Sequence, residues 1–412
     1  MSTEETGKLN MSSTWAELPP ELLQVIADKH TNYVDYLVTR AVCGSWQSAI
    51  AKRPHNHLLC QLPFLLLPYY QNNPDRRGFY NISDDKIYVL ELPEAYEKRC
   101  CGSSHGWLIM VEDSPSIFLL NPLTRERIEL PALSTFSIFP TDVVFENSRN
   151  LNENFIMREK FHIRDTFIVK AILSSDPSLD TNFMAVVIYG VNENLAFCRS
   201  GDAAWTVIDE TTSPPRRYKD ALFRAGKLFA VDQTGGISIL TEENTMIRFA
   251  DPPLVSSRTG YKQWYLASYS EEELLIVCRY RKVVPDYEYK TERFEIYKLD
   301  DGGWKKKESL GDKMLFLGGN GSLSISALDY SKCKGNCIYF TDDYIRLCKD
   351  YVWEGHDYGI YDIEDGNIRS LGLPSYPIKH PSFTGIFYFE HSLFRNTSFF
   401  ILPPPVWVTI SP

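Results

Sequence analysis

The hydrophobic pattern of the chain changes character once, near residue 63. Upstream, the segment 18–50, "LPPELLQVIADKHTNYVDYLVTRAVCGSWQSAI", spaces its apolar residues by three and four, the repeat of an amphipathic helix. Pro19 and Pro20 suit a helix entry, where a missing N–H costs little, and Glu21 in the first turn favours the helix dipole. Leu22, Leu23 and Ile26 then form an apolar stripe. Asp35 is placed to cap a second helix, along which Leu37, Val38, Ala41, Val42, Ser45 and Trp46 recur at helical spacing. Gly44 costs about 1 kcal/mol against Ala inside a helix, so it predicts a break with a third helix starting near Ser45. Trp46, Leu22 and Ile26 are expected to close a small core. So short a unit buries little surface, and apolar area left outside it points to a partner.

Beyond Pro63 the texture is that of strands and turns: aromatic and β-branched residues in short runs, punctuated by Gly, Asp and Asn. One hairpin pattern recurs six times, as "FYNISDDKIYVLELP", "FLLNPLTRERIELP", "AFCRSGDAAWTVID", "SILTEENTMIRFA", "IYKLDDGGWKKKE" and "IYDIEDGNIRSLG". Several copies follow a further strand led by Gly, as in "GWLIMV", "GKLFAV" and "GNCIYF", which makes units of three to four strands. The spacing approaches the ~40–50-residue period of propeller blades, with inserted loops where it is longer. The fold class expected is mainly β: an irregular β-propeller of about six blades behind a small three-helix unit, with the strand near 399–409 closing onto the first blade. A seventh blade, or two stacked β-sandwiches, would accommodate the same pattern.

The helical segment resembles an F-box. The matching residues are Leu18-Pro19, Glu21-Leu22-Leu23, Ile26, Asp35 and Val42-Cys43-x-x-Trp46, with Tyr36 and Thr39 where aliphatics are usual. The resemblance implies a module that binds the Skp-type adaptor of cullin–RING ubiquitin ligases, with Leu18, Pro19, Leu22, Leu23, Ile26, Val42, Cys43 and Trp46 as the adaptor-binding residues. The β region resembles a domain of unknown function, number 295, described as kelch-like, that accompanies the F-box in plants. That likeness rests on "SSHGWLIMV…IFLLNPLTRERIELP", "GKLFAVD" and Pro405-Val406-Trp407, and implies a substrate-recruiting domain. The expected organisation is a disordered tail over 1–14, the F-box over 15–53, a linker over 54–63 and the β domain over 64–412. The expected role is the non-catalytic substrate receptor of a Skp–cullin–F-box ligase, with an unknown protein target. The alternative is a propeller enzyme or ligand-binding protein whose helical front is only structural.

Charge narrows the partners. The net charge is −10, and 47 of the 53 acidic residues follow residue 60. This argues against nucleic acid as a partner, which needs clustered Lys and Arg. The N-terminus "MSTEETGKLN" lacks the pattern of a secretory signal, and the longest apolar runs are too short for a membrane span. The expectation is therefore the cytoplasm or nucleus, with nine cysteines as reduced thiols.

Candidate chemistry is sparse. His55 and His57 have metal-like spacing in a loop without partners, and Cys333, Cys337, Cys348 and His356 make a zinc site only on paper, since "NCIYF" reads as a strand. The vicinal Cys100-Cys101 reads as structural. "GGNGSL" at 318–323 lacks the Lys-Ser/Thr and helix of a phosphate loop and reads as a turn. No cofactor or metal is expected.

Overall fold

The computed structural model describes residue 15 and residues 18–30, 33–51, 62–67, 75–112, 114, 116–136, 163–208, 216–255, 260–283, 289–328, 330, 332–343, 357–372 and 406–409. The chain divides into two compact units, meeting in sequence between residues 61 and 62.

The first unit holds helices α1 (Pro20–Ala27), α2 (Tyr33–Arg40) and α3 (Gly44–Ala49). Pro20 opens α1 with Glu21 in its first turn. α2 starts two residues before Asp35, which therefore sits in the first turn rather than at the cap. The break falls at 41–43, and extended Cys43 leads into α3.

The second unit is a six-bladed β-propeller. Its sheets, taken from the axis outward, begin with β25 (Val406–Val408), β1 (Phe64–Leu66), β2 (Arg76–Asn81) and β3 (Lys86–Glu91) as blade 1. Blade 2 is β4 (Arg99–Ser104), β5 (Trp107–Val111), β6 (Ile117–Leu120) and β7 (Arg127–Glu129). Blade 3 is β8 (Ile168–Leu173), β9 (Met184–Tyr189), β10 (Asn194–Arg199) and β11 (Thr206–Val207). Blade 4 is β12 (Tyr218–Arg224), β13 (Lys227–Asp232), β14 (Ile237–Leu240) and β15 (Met246–Ala250). Blade 5 is β16 (Tyr261–Ser268), β17 (Leu274–Val283), β18 (Tyr289–Asp300) and β19 (Gly303–Lys306). Blade 6 has five strands, β21 (Leu323–Ser326), β20 (Lys313–Leu317), β22 (Cys337–Phe340), β23 (Gly359–Asp362) and β24 (Ile368–Arg369).

The six recurring hairpins are the two outermost strands of the six blades, in order. Five of their turns share a device, a side-chain oxygen that accepts a backbone N–H further along the turn. Asn81, Asn121, Asp300 and Asp362 each accept, on the side-chain oxygen, a backbone N–H two residues on, and Thr241 accepts that of Thr245. Such side chains supply the hydrogen bond that turns the chain back.

The inner strands do not alternate, because both of their faces are covered. In blade 5, Leu266, Ile276 and Cys278 pack against Phe229 and Val231 of blade 4, while Tyr265, Leu275 and Val277 pack against Leu315 and Phe340 of blade 6. Equivalent cores join blades 2 and 3, 3 and 4, and 6 and 1. Where β4 passes β8, a Cβ on Gly102 would lie 2.0 Å from the Ala171 carbonyl oxygen, so only glycine fits.

Ring closure is made by β25, antiparallel to β1 with Leu65 opposite Trp407. Trp407 is fully buried and meets Phe316 of blade 6 edge to face at 5.1 Å. On the other side Thr409 Oγ1 accepts the Gly106 N–H of blade 2 at 3.2 Å.

Buried polar side chains link several of the blades near the centre. Asp220 on β12 is wholly buried and accepts hydrogen bonds from Lys170 Nζ of blade 3 at 2.8 Å, Leu266 N of blade 5 at 3.0 Å and Ser322 Oγ of blade 6 at 3.0 Å. The glycine-rich stretch 318–322 is the turn that brings Ser322 there, and Gly321 reaches across to Ile172 of blade 3. Nearby, Arg279 and Arg281 of blade 5 meet Asp343 and Asp357 of blade 6, and Tyr265 Oη donates to Asp343.

Two predictions follow from these contacts. Deleting residues 396–412 removes β25 and bares the edge of β1, and should lower the yield of soluble protein; unchanged solubility and melting profile would contradict closure by this strand. Burial alone would raise the Asp343 carboxyl, but Arg281 and Arg279 outweigh it and hold it down at about 2, against an ordinary 3.8. A carboxylate depressed on folding stabilises above its unfolded value, so about 2 kcal/mol of stability should be lost as pH falls from 3.8 towards 2. Asp343→Asn should flatten that slope and cost about 3–5 kcal/mol at neutral pH, by leaving buried guanidinium charge uncompensated, both read by denaturant titration.

Candidate functional site: an unpartnered apolar face

Helix α1 carries more apolar surface than its own unit consumes. One stripe, Leu23 and Ala27, is buried with Tyr36, Trp46 and Ile50. A polar strut fixes this small core: Gln24 Oε1 accepts the Ala51 N–H at 2.7 Å, and Gln24 Nε2 donates to Asp28 at 2.8 Å. Tyr36 Oη donates to the Ala51 carbonyl at 2.9 Å, and burial pushes this phenol above its ordinary value. Arg40 Nε donates to the Ile50 carbonyl and Trp46 Nε1 to the Trp15 carbonyl. These bonds tie the end of the unit back onto α1.

The neighbouring stripe is open. Leu22 is 50% exposed, Val25 53% and Ile26 37%, and successive residues turn by about 100°, which puts the three on one face. Pro19 is exposed one turn before Leu22, and Leu18 is half-buried. Val42, 59% exposed, lies in the break before α3. Cys43 follows it half-exposed, its thiol lowered by a hydrogen bond with Ser45 Oγ and by the Trp46 N–H.

The eight residues expected to bind the adaptor therefore divide. Pro19, Leu22, Ile26 and Val42 are exposed and Leu18 and Cys43 are half-exposed, whereas Leu23 and Trp46 are buried inside the unit and act by holding it together. The expected core of Trp46, Leu22 and Ile26 is corrected to Trp46 with Leu23, Ala27, Tyr36 and Ile50. Periodicity finds the apolar side of a helix but not which of two adjacent stripes faces inward. Val25 and Trp15, the latter 73% exposed, were missed, although both are large apolar residues beside the quoted motif. The side chains of Leu37 and Val38 lie outside the described residues.

The other candidates sort plainly. Burial pushes the thiols of Cys100 up to about 11 and Cys101 to about 12, as expected of a structural pair. Cys337 is buried in the core between blades 6 and 1, with Cys333 packed at its edge. Cys348, His356, His55 and His57 lie outside the described residues. Among the described residues no group of His, Cys, Asp and Glu is arranged to hold a metal ion, and no helix is long and apolar enough to cross a membrane.

Comparison with known proteins places both units in context. A family described as KIB1-4 beta-propeller matches residues 79–362. A putative F-box protein of Arabidopsis thaliana, At5g55150, is 30% identical over 80% of this chain and 86% of its own length. F-box protein SKIP23 of the same plant is 26% identical over 96% of this chain and 95% of its own. F-box protein At2g17036 is 25% identical over the same shares.

The polar strut yields a test of which residues hold the unit and which are free. Gln24→Ala removes the partner of the half-buried Ala51 N–H and should destabilise the helical unit by about 1 kcal/mol. Leu22→Asp and Val42→Asp, at exposed positions, should change it by no more than about 0.5 kcal/mol. Hydrogen exchange over residues 20–50 of the whole chain reads both, and equal loss of protection in all three variants would contradict the division.

Proposed function

The chain belongs to the F-box proteins that carry a KIB1-4 β-propeller, and from that premise we propose that it is the substrate receptor of a Skp–cullin–F-box ubiquitin ligase. The observation that carries the proposal is the second apolar stripe of α1. Leu22, Val25 and Ile26, with Pro19 and Val42 beside them, cover no part of their own unit, and a helical partner surface of an Skp-type adaptor would dehydrate them. Cullin and RING protein would join through the adaptor. Leu23, Trp46 and Gln24 would shape this face without touching the adaptor.

In this role the protein supplies proximity and no chemistry of its own. The propeller would hold a target protein while the adaptor-bound ligase presents activated ubiquitin, which raises the effective concentration of a target lysine. The work would take place in the cytoplasm or nucleus.

Interface anchors of this kind cost about 2 kcal/mol or more when lost. Leu22→Asp and Val42→Asp should therefore weaken binding of a purified Skp-type adaptor by at least about thirty-fold, with the propeller's melting transition unmoved. Calorimetric titration of the full chain gives the affinity. Unaltered adaptor binding by both variants, or none by the parent protein, would refute the assignment.

A further inference from the structure

Six outer strands face solvent at the propeller rim, and five are protected in the usual ways. β7 carries Arg127 and Glu129 in an ion pair, and β19 carries Lys305 and Lys306, paired with Asp300 and Glu308. On β24, Arg369 meets Asp362 and Asp365. On β3, Glu91 pairs with Arg76 across the hairpin, and β11 has two residues. Charges and brevity keep sheet edges from pairing with other chains.

The outer strand of blade 4 differs. On β15, Ile247 and Phe249 point to the same side, and both are about half exposed. Phe249 rests edge to face on Phe229 at 5.2 Å, which holds its ring at the rim. Leu254, just beyond the strand, is 99% exposed. Trp304 of blade 5, whose Nε1 donates to the Asp251 carbonyl at 2.5 Å, joins the next blade to this edge. The one cation on the strand, Arg248, is drawn inward to Asp232 at 2.8 Å. Arg216 reaches the Met246 carbonyl at one end, and among the described residues no strand pairs outside β15.

Carboxylates flank this edge at both ends. Glu242 and Glu243 stand exposed in the turn that leads into β15, and Asp251 is exposed directly after it. Among the described residues none of the three carboxylates forms an ion pair. An apolar edge bracketed by uncompensated acid selects a ligand with the reverse pattern.

We propose that the β15 edge is the docking site for an extended segment of the target protein, with apolar side chains at alternate positions and Lys or Arg at both ends. An extended chain is the shape a sheet edge accepts, with backbone bonds along the strand and side chains alternating onto one face. Ile247, Phe249 and Leu254 take the apolar positions, and Glu242, Glu243 and Asp251 take the basic ends. This rests on the receptor reading above, because a receptor needs a recognition surface apart from its adaptor site.

The test uses the full-length protein and fluorescein-labelled nine-residue peptides. One set alternates Val or Ile with Thr between Lys-Arg ends, and a second has the same centre between Glu ends. Fluorescence polarisation should show binding of the basic-ended set at least ten-fold tighter than the acidic-ended one. Ile247→Thr/Phe249→Thr should weaken the basic-ended peptides at least ten-fold, and Glu242→Lys/Glu243→Lys should reverse the preference between sets. Adaptor affinity, measured on the same preparations, should stay unchanged in both variants, so failure here is separable from failure of the receptor assignment. The proposal is overturned if the parent protein binds neither set, or if both variants bind as the parent does. It is also overturned if sedimentation shows a dimer that the β15 variants dissolve, since the edge would then belong to a second copy of the chain.

Discussion

One buried carboxylate governs the centre of the propeller. Asp220 is fully shut from water, and its two oxygens serve groups on blades 3, 5 and 6 as well as its own strand. A charge in that position is tolerable only when fully paired, and Lys170 supplies the balancing cation. The geometry is therefore demanding: each of four blades must present its group at one point on the axis. Apolar packing between blades is forgiving about small slips, whereas this arrangement is not. It gives the ring a registration mark that hydrophobic cores alone would lack.

The same demand explains what the sequence disclosed. The outer hairpins were legible because a short polar turn recurs between two apolar runs, and because Asn81, Asn121, Asp300 and Asp362 punctuate them with turn chemistry. The inner strands were harder to read. β8 and β12 carry Lys170 and Asp220 among apolar neighbours, which as a string resembles an interrupted strand. Only the assembled ring shows that the two charges cancel. The order of blade 6, where β21 lies inside β20 and β20 runs parallel to β22, left no mark in periodicity. The turn at 318–322 was recognised as a turn, but its reach across the axis depends on which blades oppose one another.

The helical unit was legible to the level of its helices and motif. Its limit was the inward stripe of α1, because Leu22, Leu23, Val25 and Ile26 are equally apolar and differ only in direction. Gln24 decides that direction. By clasping Ala51 and Asp28 it turns Leu23 towards Tyr36 and Trp46 and leaves the adjoining residues facing water. A polar residue between apolar ones, easily passed over in a hydrophobic pattern, thus sets which surface is offered to a partner.

The position of β25 bears on how the protein is made. Ribosomes deliver the helical unit first and β25 after every other strand of the propeller, yet β25 is the innermost strand of the first blade. Blade 1 therefore stays one strand short throughout translation, and Trp407 can fill its place against Phe316 only after synthesis has passed residue 407. During that interval the nascent chain needs shelter for the waiting edge of β1. Messages cut short anywhere upstream yield a chain that cannot complete its ring and is exposed to proteolysis. The topology thereby makes the finished ring wait on the last of its strands to be made.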